Sequence, residues 1–327
     1  MTSLAHLVRA LGRGPGRSRN LDRKEAQEAM AAILDGTAPP EAVGALLMLM
    51  RYRGETGEEI AGFVDAMRAR LKPWATLPAT LDWPSYAAGR SRGLPLFLLA
   101  ARLVAMSGQR VLLHGWNSHQ NPHAEIRAHL GEAGIPAATT LDGAKTALER
   151  NHIVYVPLEA MDPELLRVLK LRDLLGLRSP VNTALRSMNP SGAPASVLGV
   201  FHPPYRGLQQ DAAALLGERN LMVIKGGGGE FERHPAKQIL VYGLEDGAVH
   251  EQTVEPLIDD TRRLADAEPQ KGDLGRLWSG EREDAFARAT VTGTAALALL
   301  AAGGATTLAG AQARMDALWE DRLVPAG

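Results

Sequence analysis

The stretch Leu221–His234, LMVIKGGGGEFERH, sets an apolar run directly against four glycines and a group of charges. Such a run fits a buried parallel strand, and Lys225 would mark its carboxyl end, the edge at which open α/β sheets bind ligands. Glycines there let the backbone approach a phosphate or take up positive φ without a Cβ clash. Lys225, Arg233 and Lys237 bring positive charge and Glu230 and Glu232 negative, so an anion site, a metal-bridged phosphate site and a plain turn are all open. A second concentration lies near the N-terminus, where Arg9, Arg13, Arg17, Arg19, Arg23 and Lys24 face only Asp22 as an acid. That density suits phosphate contacts, or else a solvated charge run. His114, His119, His123 and His129 invite a metal reading. Pro122, however, places a helix start between His119 and His123, so the two do not share the helical face that a metal pair four residues apart needs. Ser85 and Ser118 lack the glycine-flanked elbow of a hydrolase nucleophile. Trp83, Tyr86 and Trp116 fall near the same ligand edge, where bases could stack or domains could pack.

The elements that must position these residues can be read in order. Leu4, Leu7, Val8 and Leu11 recur at helical spacing, and Gly12 follows. Asp22 and Glu25 have the spacing of a capping box ahead of an apolar face from Ala26 to Leu34, as do Thr56 and Glu59 ahead of Ile60, Phe63, Val64 and Met67. Between them a helix runs from Pro39 to about Tyr52. From Leu94 the pattern alternates: a helix to Ser107, strand Arg110–Leu113, a helix begun by Asn121 and Pro122, and strand Ile153–Val156. A helix entered through Asp162 and Pro163, strand Ser196–Phe201, helix Tyr205–Leu216 and strand Leu221–Ile224 follow. This alternation predicts a doubly wound sheet, with a further strand Ile239–Tyr242 and a hairpin partner Ala248–Val254. Two Ala-rich helices, Phe286–Ala302 and Thr307–Arg322, close the chain. The fold class is therefore α/β: a small N-terminal helical domain, residues 1–76, and a larger doubly wound α/β domain, residues 77–327, with the helices of Pro163–Pro190 returning to the helical domain.

Composition narrows the function classes. The 327 residues are 45% hydrophobic, ample for a sizeable core. A formal net charge of -1 gives no global basic excess, so nucleic-acid binding would have to rest on local patches. The absence of cysteine excludes disulfides, thiolate metal sites and cysteine nucleophiles. No run of 18 or more apolar residues appears, so a cytoplasmic protein without a membrane partner is expected.

The helical segment Leu21–Leu71, with its RxxGET turn at Arg51–Thr56, resembles the N-terminal domain of the anthranilate phosphoribosyltransferase family. Leu171–Pro190, LRDLLGLRSPVNTALRSMNP, lines up without a gap with that family's RxxLGxRTxxNxLGPLTNP stretch. The resemblance extends along nearly the whole chain and implies a helical domain, through which the family dimerises, hinged to an α/β domain. Leu46, Leu47, Met50 and Phe63 offer the apolar face for such a homodimer, or else for burial against the α/β domain.

The family's active-site motifs are matched less fully. Its GTGGD loop, which cradles diphosphate through backbone N–H groups, corresponds to Asp82–Gly93, DWPSYAAGRSRG, where prolines and bulky side chains replace glycines. Its KHGNR corresponds to Leu113–Asn117, so the histidine beside the acceptor is His114. Its HHPAM becomes Glu159–Pro163, and its acceptor-carboxylate arginine has a counterpart in Arg172. The magnesium-binding Asp-Glu pair falls on Phe231 and Glu232, with Glu230 as the adjacent substitute. The resemblance thus implies Mg only if phosphoribosyl transfer is retained; no cofactor is otherwise expected, and no active anthranilate phosphoribosyltransferase. The YbiB-type paralogues of the same superfamily, dimeric binders of DNA and RNA with little sequence preference, resemble the chain more closely in three segments. These are GRGPGRSR at Gly12–Arg19, PSY at Pro84–Tyr86 and the turn Lys225–Glu230. That closer resemblance implies a non-sequence-specific nucleic-acid-binding protein contacting phosphates through Arg13, Arg17, Arg19, Lys225, Arg233 and Lys237. The alternative is a phosphoribosyltransferase acting on anthranilate or another acceptor.

Overall fold

The computed structural model describes residues 3–14, 16–86, 93–116, 126–265 and 270–323. Four helices open the chain: α1 (Ala5–Gly12), α2 (Arg23–Leu34), α3 (Pro40–Arg53) and α4 (Gly57–Arg70). Both expected capping boxes form. The Asp22 side chain accepts from the Glu25 N–H and the Thr56 side chain from the Glu59 N–H, while each glutamate accepts from the cap residue's own N–H in return. Glu59 also accepts the Leu21 N–H at 2.9 Å, so one buried carboxylate ties the start of α4 to the entry of α2.

A seven-stranded sheet follows, in the order β3-β2-β1-β4-β5-β6-β7. Its strands are β1 (Leu81–Ser85), β2 (Val111–Gly115), β3 (Ile153–Pro157), β4 (Ala195–Val200), β5 (Asn220–Lys225), β6 (Ile239–Glu245) and β7 (Ala248–Val254). The first five are parallel, and β6 and β7 are antiparallel additions at one edge. This is the expected doubly wound sheet, with one strand that the sequence hid. β1 occupies a central position although it contains Pro84, which fits because pairing with β4 stops at Asp82, two residues earlier.

Alternate residues of the parallel strands enter separate cores. Leu112, Val154 and Val156 join an apolar cluster continuous with Leu7, Met30, Leu46 and Met67 of the helices. Val111, Leu113 and Ile153 pack with Trp83, Phe97 and the helix Ala285–Ala301 on the opposite face. Leu46, Leu47, Met50 and Phe63 are fully buried within the chain itself. That burial removes the reason for reading them as a dimer face, because their apolar surface is already covered by their own core. Polar ties reinforce the seam between helices and sheet. Arg68 of α4 donates to the carbonyls of Met188 and Ser187 and pairs with Glu218, and Arg70 pairs with Asp162 and Asp35. The helix Pro163–Leu175 and the short helix Pro180–Ala184 pack against α2, α3 and α4. Among the described residues, no helix is long and apolar enough to cross a membrane.

Candidate functional site

The carboxyl ends of β1, β2, β4 and β5 meet the helical layer along one edge, and two different arrangements lie there. The first is a closed polar network. Asp82, Ser85, Tyr86, His114, Glu230 and Glu232 are all buried. His114 Nε2 lies 3.0 Å from Asp82 Oδ1 and Nδ1 lies 2.9 Å from the Tyr86 hydroxyl. With the Tyr86 hydroxyl donating to Nδ1, the ring proton sits on Nε2 and is donated to Asp82. Burial, with smaller contributions from Tyr155 and Asp82, pushes the Tyr86 phenol well above its ordinary pKa, so it stays protonated as that donor. His114, the family-equivalent acceptor position, therefore sits inside the network with both ring nitrogens engaged.

The glycine turn follows β5 as expected, but its backbone is spent on itself. Gly226 N–H donates to Val200, Gly227 N–H to Glu232, Gly229 N–H to Gly226 and Glu230 N–H to Gly227. Gly228 and Gly229 take φ of 63° and 93°, which side chains rarely adopt. Gly199 of β4 lies so close to the turn that a Cβ would collide with the Glu230 backbone. The run is a tight turn packed on β4; four of its N–H groups are unavailable to a phosphate.

Magnesium fits these residues poorly. Glu230 Oε1 accepts from the Ser85 hydroxyl at 2.9 Å, and Glu232 Oε2 accepts the Phe97 N–H at 3.0 Å, capping the N-terminus of the helix Phe97–Met106. An internal carboxylate thus takes a position at which a helix N-terminus would favour an external anion. Phe231, at the place of the family's aspartate, is fully buried and packs edge-on to Trp83 with ring centroids 5.5 Å apart. No group of three or more His, Cys, Asp or Glu gathers around a common point among the described residues. Glu230 and Glu232 hold the fold of this edge rather than presenting a paired metal site.

The second arrangement is open. A cavity of about 590 Å³ is lined by Arg51 from the last turn of α3 and Glu55 from the turn that follows, by Arg172, Arg178 and Arg186 from the Leu171–Pro190 segment, and by Tyr205 beyond β4. Arg51 bonds to the Tyr205 hydroxyl and lies 3.8 Å from Glu55, and Arg172 lies 3.5 Å from Asp173. Arg178 has its pKa lowered by burial and then by the neighbouring charges of Arg172 and Arg51. Arg186 donates to the carbonyls of Tyr86 at 3.2 Å and Asn182 at 3.5 Å. Burial brings its pKa down to about 10, with Glu230 opposing the shift and Arg178 adding to it. Even so lowered, Arg178 and Arg186 remain charged at neutral pH. Of the expected site residues only Arg172 lines this cleft. Arg51 and Arg178 stand inside the matched motifs, and the legible signal for Arg186 was a departure: it occupies the proline position of GPLTNP in an otherwise gapless match.

The remaining expected contacts separate. Arg13 and Arg17 are exposed, while Arg19, also exposed, forms a two-pronged ion pair with Glu25 at 2.6 Å. Arg53 donates to Ser18 and Asn20, fastening this loop to the end of α3 two residues from Arg51. Lys225 is exposed at the end of β5, paired with Val200, and Lys237 is exposed ahead of β6 at the same sheet edge. Arg233 is a correction: its side chain is buried, donates to the Glu255 carbonyl at 2.6 Å, and cannot reach a phosphate backbone. His129 is buried beside Glu132, 3.7 Å away, whereas His119, His123, Ser118 and the Asn121–Pro122 helix start lie outside the described residues.

Residues 5–71 match the model of the glycosyl transferase family helical bundle domain. The chain is 30% identical over 305 residues to an anthranilate phosphoribosyltransferase of Methylorubrum extorquens, covering 90% of this chain and 88% of that one. It is likewise 30% identical over 309 residues to that of an Anaeromyxobacter species, covering 88% and 87%. In fold it is similar to the anthranilate phosphoribosyltransferase of Thermus thermophilus, with a TM-score of 0.72 at 24% identity over 93% of this chain and 95% of that one. The Saccharomyces cerevisiae enzyme in complex with PRPP and Mg gives 0.78 at 15% identity over 98% and 94%. With two relatives at that identity over nearly nine-tenths of its length, and the helical and α/β elements in the same order, the chain belongs to the anthranilate phosphoribosyltransferase family.

Proposed function

We propose that this chain is a phosphoribosyltransferase-like member of its family that receives an acidic acceptor other than anthranilate in the arginine cleft. The observation that carries this reading is the convergence of Arg51, Arg172, Arg178 and Arg186 on one cavity at the carboxyl edge of the sheet. Its volume falls in the range of small-molecule sites, and guanidiniums recognise carboxylate and phosphate in a planar, two-pronged manner. Relatives named for phosphoribosyl transfer to anthranilate support the reaction class. The rebuilt donor side slows phosphoribosyl transfer whatever the acceptor. Departing diphosphate develops charge that metal ions and backbone donors must receive, and here the turn N–H groups and both glutamates are already engaged. What sets anthranilate, a monoacid, apart is the extra cation Arg186 in the cleft.

The test is diphosphate release from phosphoribosyl diphosphate with a panel of aromatic acids, in the full chain and in Arg172→Ala. Release that requires an acid and falls at least about tenfold in the variant supports the reading. Saturable formation of phosphoribosyl anthranilate contradicts the exclusion of anthranilate, and silence with every acid removes the enzymatic reading.

A second reading, the YbiB-type one, rests on continuity of charge. The arginine loop, with Arg13 and Arg17 exposed, is fastened by Arg53 to the end of the helix that supplies Arg51. A nucleic-acid strand held this way would lose affinity with salt, at a slope of about -0.9 per phosphate on duplex and about -0.7 on single strands, and would show little sequence preference. Anisotropy titrations of unrelated oligonucleotides on the wild type and on an Arg13→Ala/Arg17→Ala double variant separate it from the first. A homodimer through the N-terminal helices remains part of this proposal, on a face other than the buried Leu46, Leu47, Met50 and Phe63, with light scattering as its measure.

A further inference from the structure

We propose that Arg178 and Arg186 form a second anion subsite in the cleft, beside the one centred on Arg172, and that it takes a further carboxylate or phosphate group. The inference rests on the acidic-acceptor reading and goes beyond it by setting the number of acid groups the cleft holds.

The four guanidiniums are not equally compensated. Arg51 has Glu55 and the Tyr205 hydroxyl, and Arg172 has Asp173. Neither Arg178 nor Arg186 forms an ion pair with a carboxylate among the described residues, and the hydrogen bonds of Arg186 go to two backbone carbonyls. Glu230 is near enough to favour the charge on Arg186, yet its Oε1 is held by the Ser85 hydroxyl. Among the described residues, the cavity lining therefore carries four arginines against two carboxylates, Glu55 and Asp173. A monocarboxylate would answer only half of that surplus.

Solvation alone is a poor account of Arg186. It lines the cavity part-buried, bonded to two backbone carbonyls, and the charge of Arg178 disfavours its own, an arrangement that costs free energy until an anion enters. The helix Tyr205–Leu215 begins at the same cavity, so its positive end adds to the field there. In the family stretch quoted above, the position of Arg186 is a proline and cannot supply charge. The extra cation is thus a feature of this chain's cleft, distinct from the arginine at the place of the acceptor-carboxylate contact.

The second acid can arrive in two ways: on the acceptor itself, or as a separate phosphate-bearing anion bound beside a monoacid. Calorimetric titration of the full chain with benzoate, phthalate and inorganic diphosphate distinguishes them. Phthalate binding about tenfold or more tighter than benzoate, with the ratio collapsing in Arg186→Gln, places both acids on one ligand. Diphosphate binding to the benzoate-saturated protein, with the same dependence on Arg186, places the second acid on a separate anion. Either result supports the subsite, and Arg178→Gln should reproduce it should Arg186→Gln fold poorly. Equal affinity for phthalate and benzoate together with no diphosphate binding overturns the subsite while leaving the acidic-acceptor reading intact. Failure of all three ligands removes that reading and the subsite with it. Binding of an oligonucleotide alone, weakened by Arg186→Gln, replaces both with a site for a polyanion.

Discussion

Along one sheet edge, Asp82, His114, Tyr86, Ser85 and Glu230 are buried and bonded to one another, His114 to Asp82 and Tyr86, and Ser85 to Glu230, while Arg51, Arg172, Arg178 and Arg186 face a cavity whose described lining holds more cations than carboxylates. A polar network closed in this way contributes to a unique fold and has little left with which to bind. A like-charged cluster does the reverse, giving up stability in the free protein for affinity toward an anion. The contrast supports the arginine side as the proposed site and gives Asp82, Ser85, Tyr86, Glu230 and Glu232 a structural part.

The largest effect that tests this contrast is at Phe231. Were the carboxylate side merely a dormant metal site, Phe231→Asp would restore a pair with Glu232 at modest cost. The packing says otherwise. Phe231 is fully buried against Trp83, so the substitution removes a buried aromatic, worth about 3–5 kcal/mol as Phe→Ala, and adds a charge with no partner. Urea denaturation should show a loss of at least that size, with no magnesium-dependent recovery. A variant within about 1 kcal/mol of wild type would mean that this side can open, and the contrast would dissolve.

These two regions also differ in how far the sequence disclosed them. Capping boxes at Asp22 and Thr56 were legible because each is written within four residues, and the parallel strands because each is a short apolar run buried on both faces. β1 was hidden because Trp83, Pro84 and Ser85 resemble a loop until the neighbouring strands show that pairing with β4 ends before the proline. The glycine run was correctly placed after β5, but its internal hydrogen bonds depend on Val200 of another strand. Arg233 looked like surface charge from its neighbours in sequence, and only the helix Ala285–Ala301 and the Glu255 carbonyl reveal that it is enclosed. The cleft was the least legible feature, since residues 51, 172, 178, 186 and 205 meet only through the seam of helices and sheet. Nothing local distinguishes Arg178 from an ordinary solvated arginine.

A smaller effect sharpens the arginine half. If Arg178 is destabilised by Arg172 and Arg51 around it, Arg178→Gln should raise the stability of the ligand-free protein by about 0.5–1 kcal/mol while weakening anion binding. The gain should shrink as salt screens the repulsion, over a Debye length of about 10 Å at 0.1 M. Melting curves at low and high ionic strength measure both. A loss of stability in the free protein would show that Arg178 is held by contacts that outweigh the repulsion, and that the cluster is structural.

The smallest effect concerns His234, just beyond the closed network, and its sign follows from geometry. Its Nδ1 accepts the Ala236 N–H at 3.2 Å, so protonating that nitrogen would lose the bond and set two N–H groups against each other. Burial, followed by the charge of Lys237, lowers the pKa below the ordinary histidine value, while the Arg262 backbone and Asp260 oppose the shift without reversing it. The folded protein therefore resists a proton that the unfolded chain accepts below about pH 6.5. The contribution of His234 to stability is fully present above that pH and is lost as the pH falls through it toward the lower folded value. The slope cannot exceed that of one proton, about 1.4 kcal/mol per pH unit. Urea midpoints measured from pH 7.5 down to 5.5 should fall less steeply in His234→Gln than in the wild type. Parallel curves would show that the ring accepts its proton without losing the Ala236 bond, and that this edge of the closed region is looser than its neighbours.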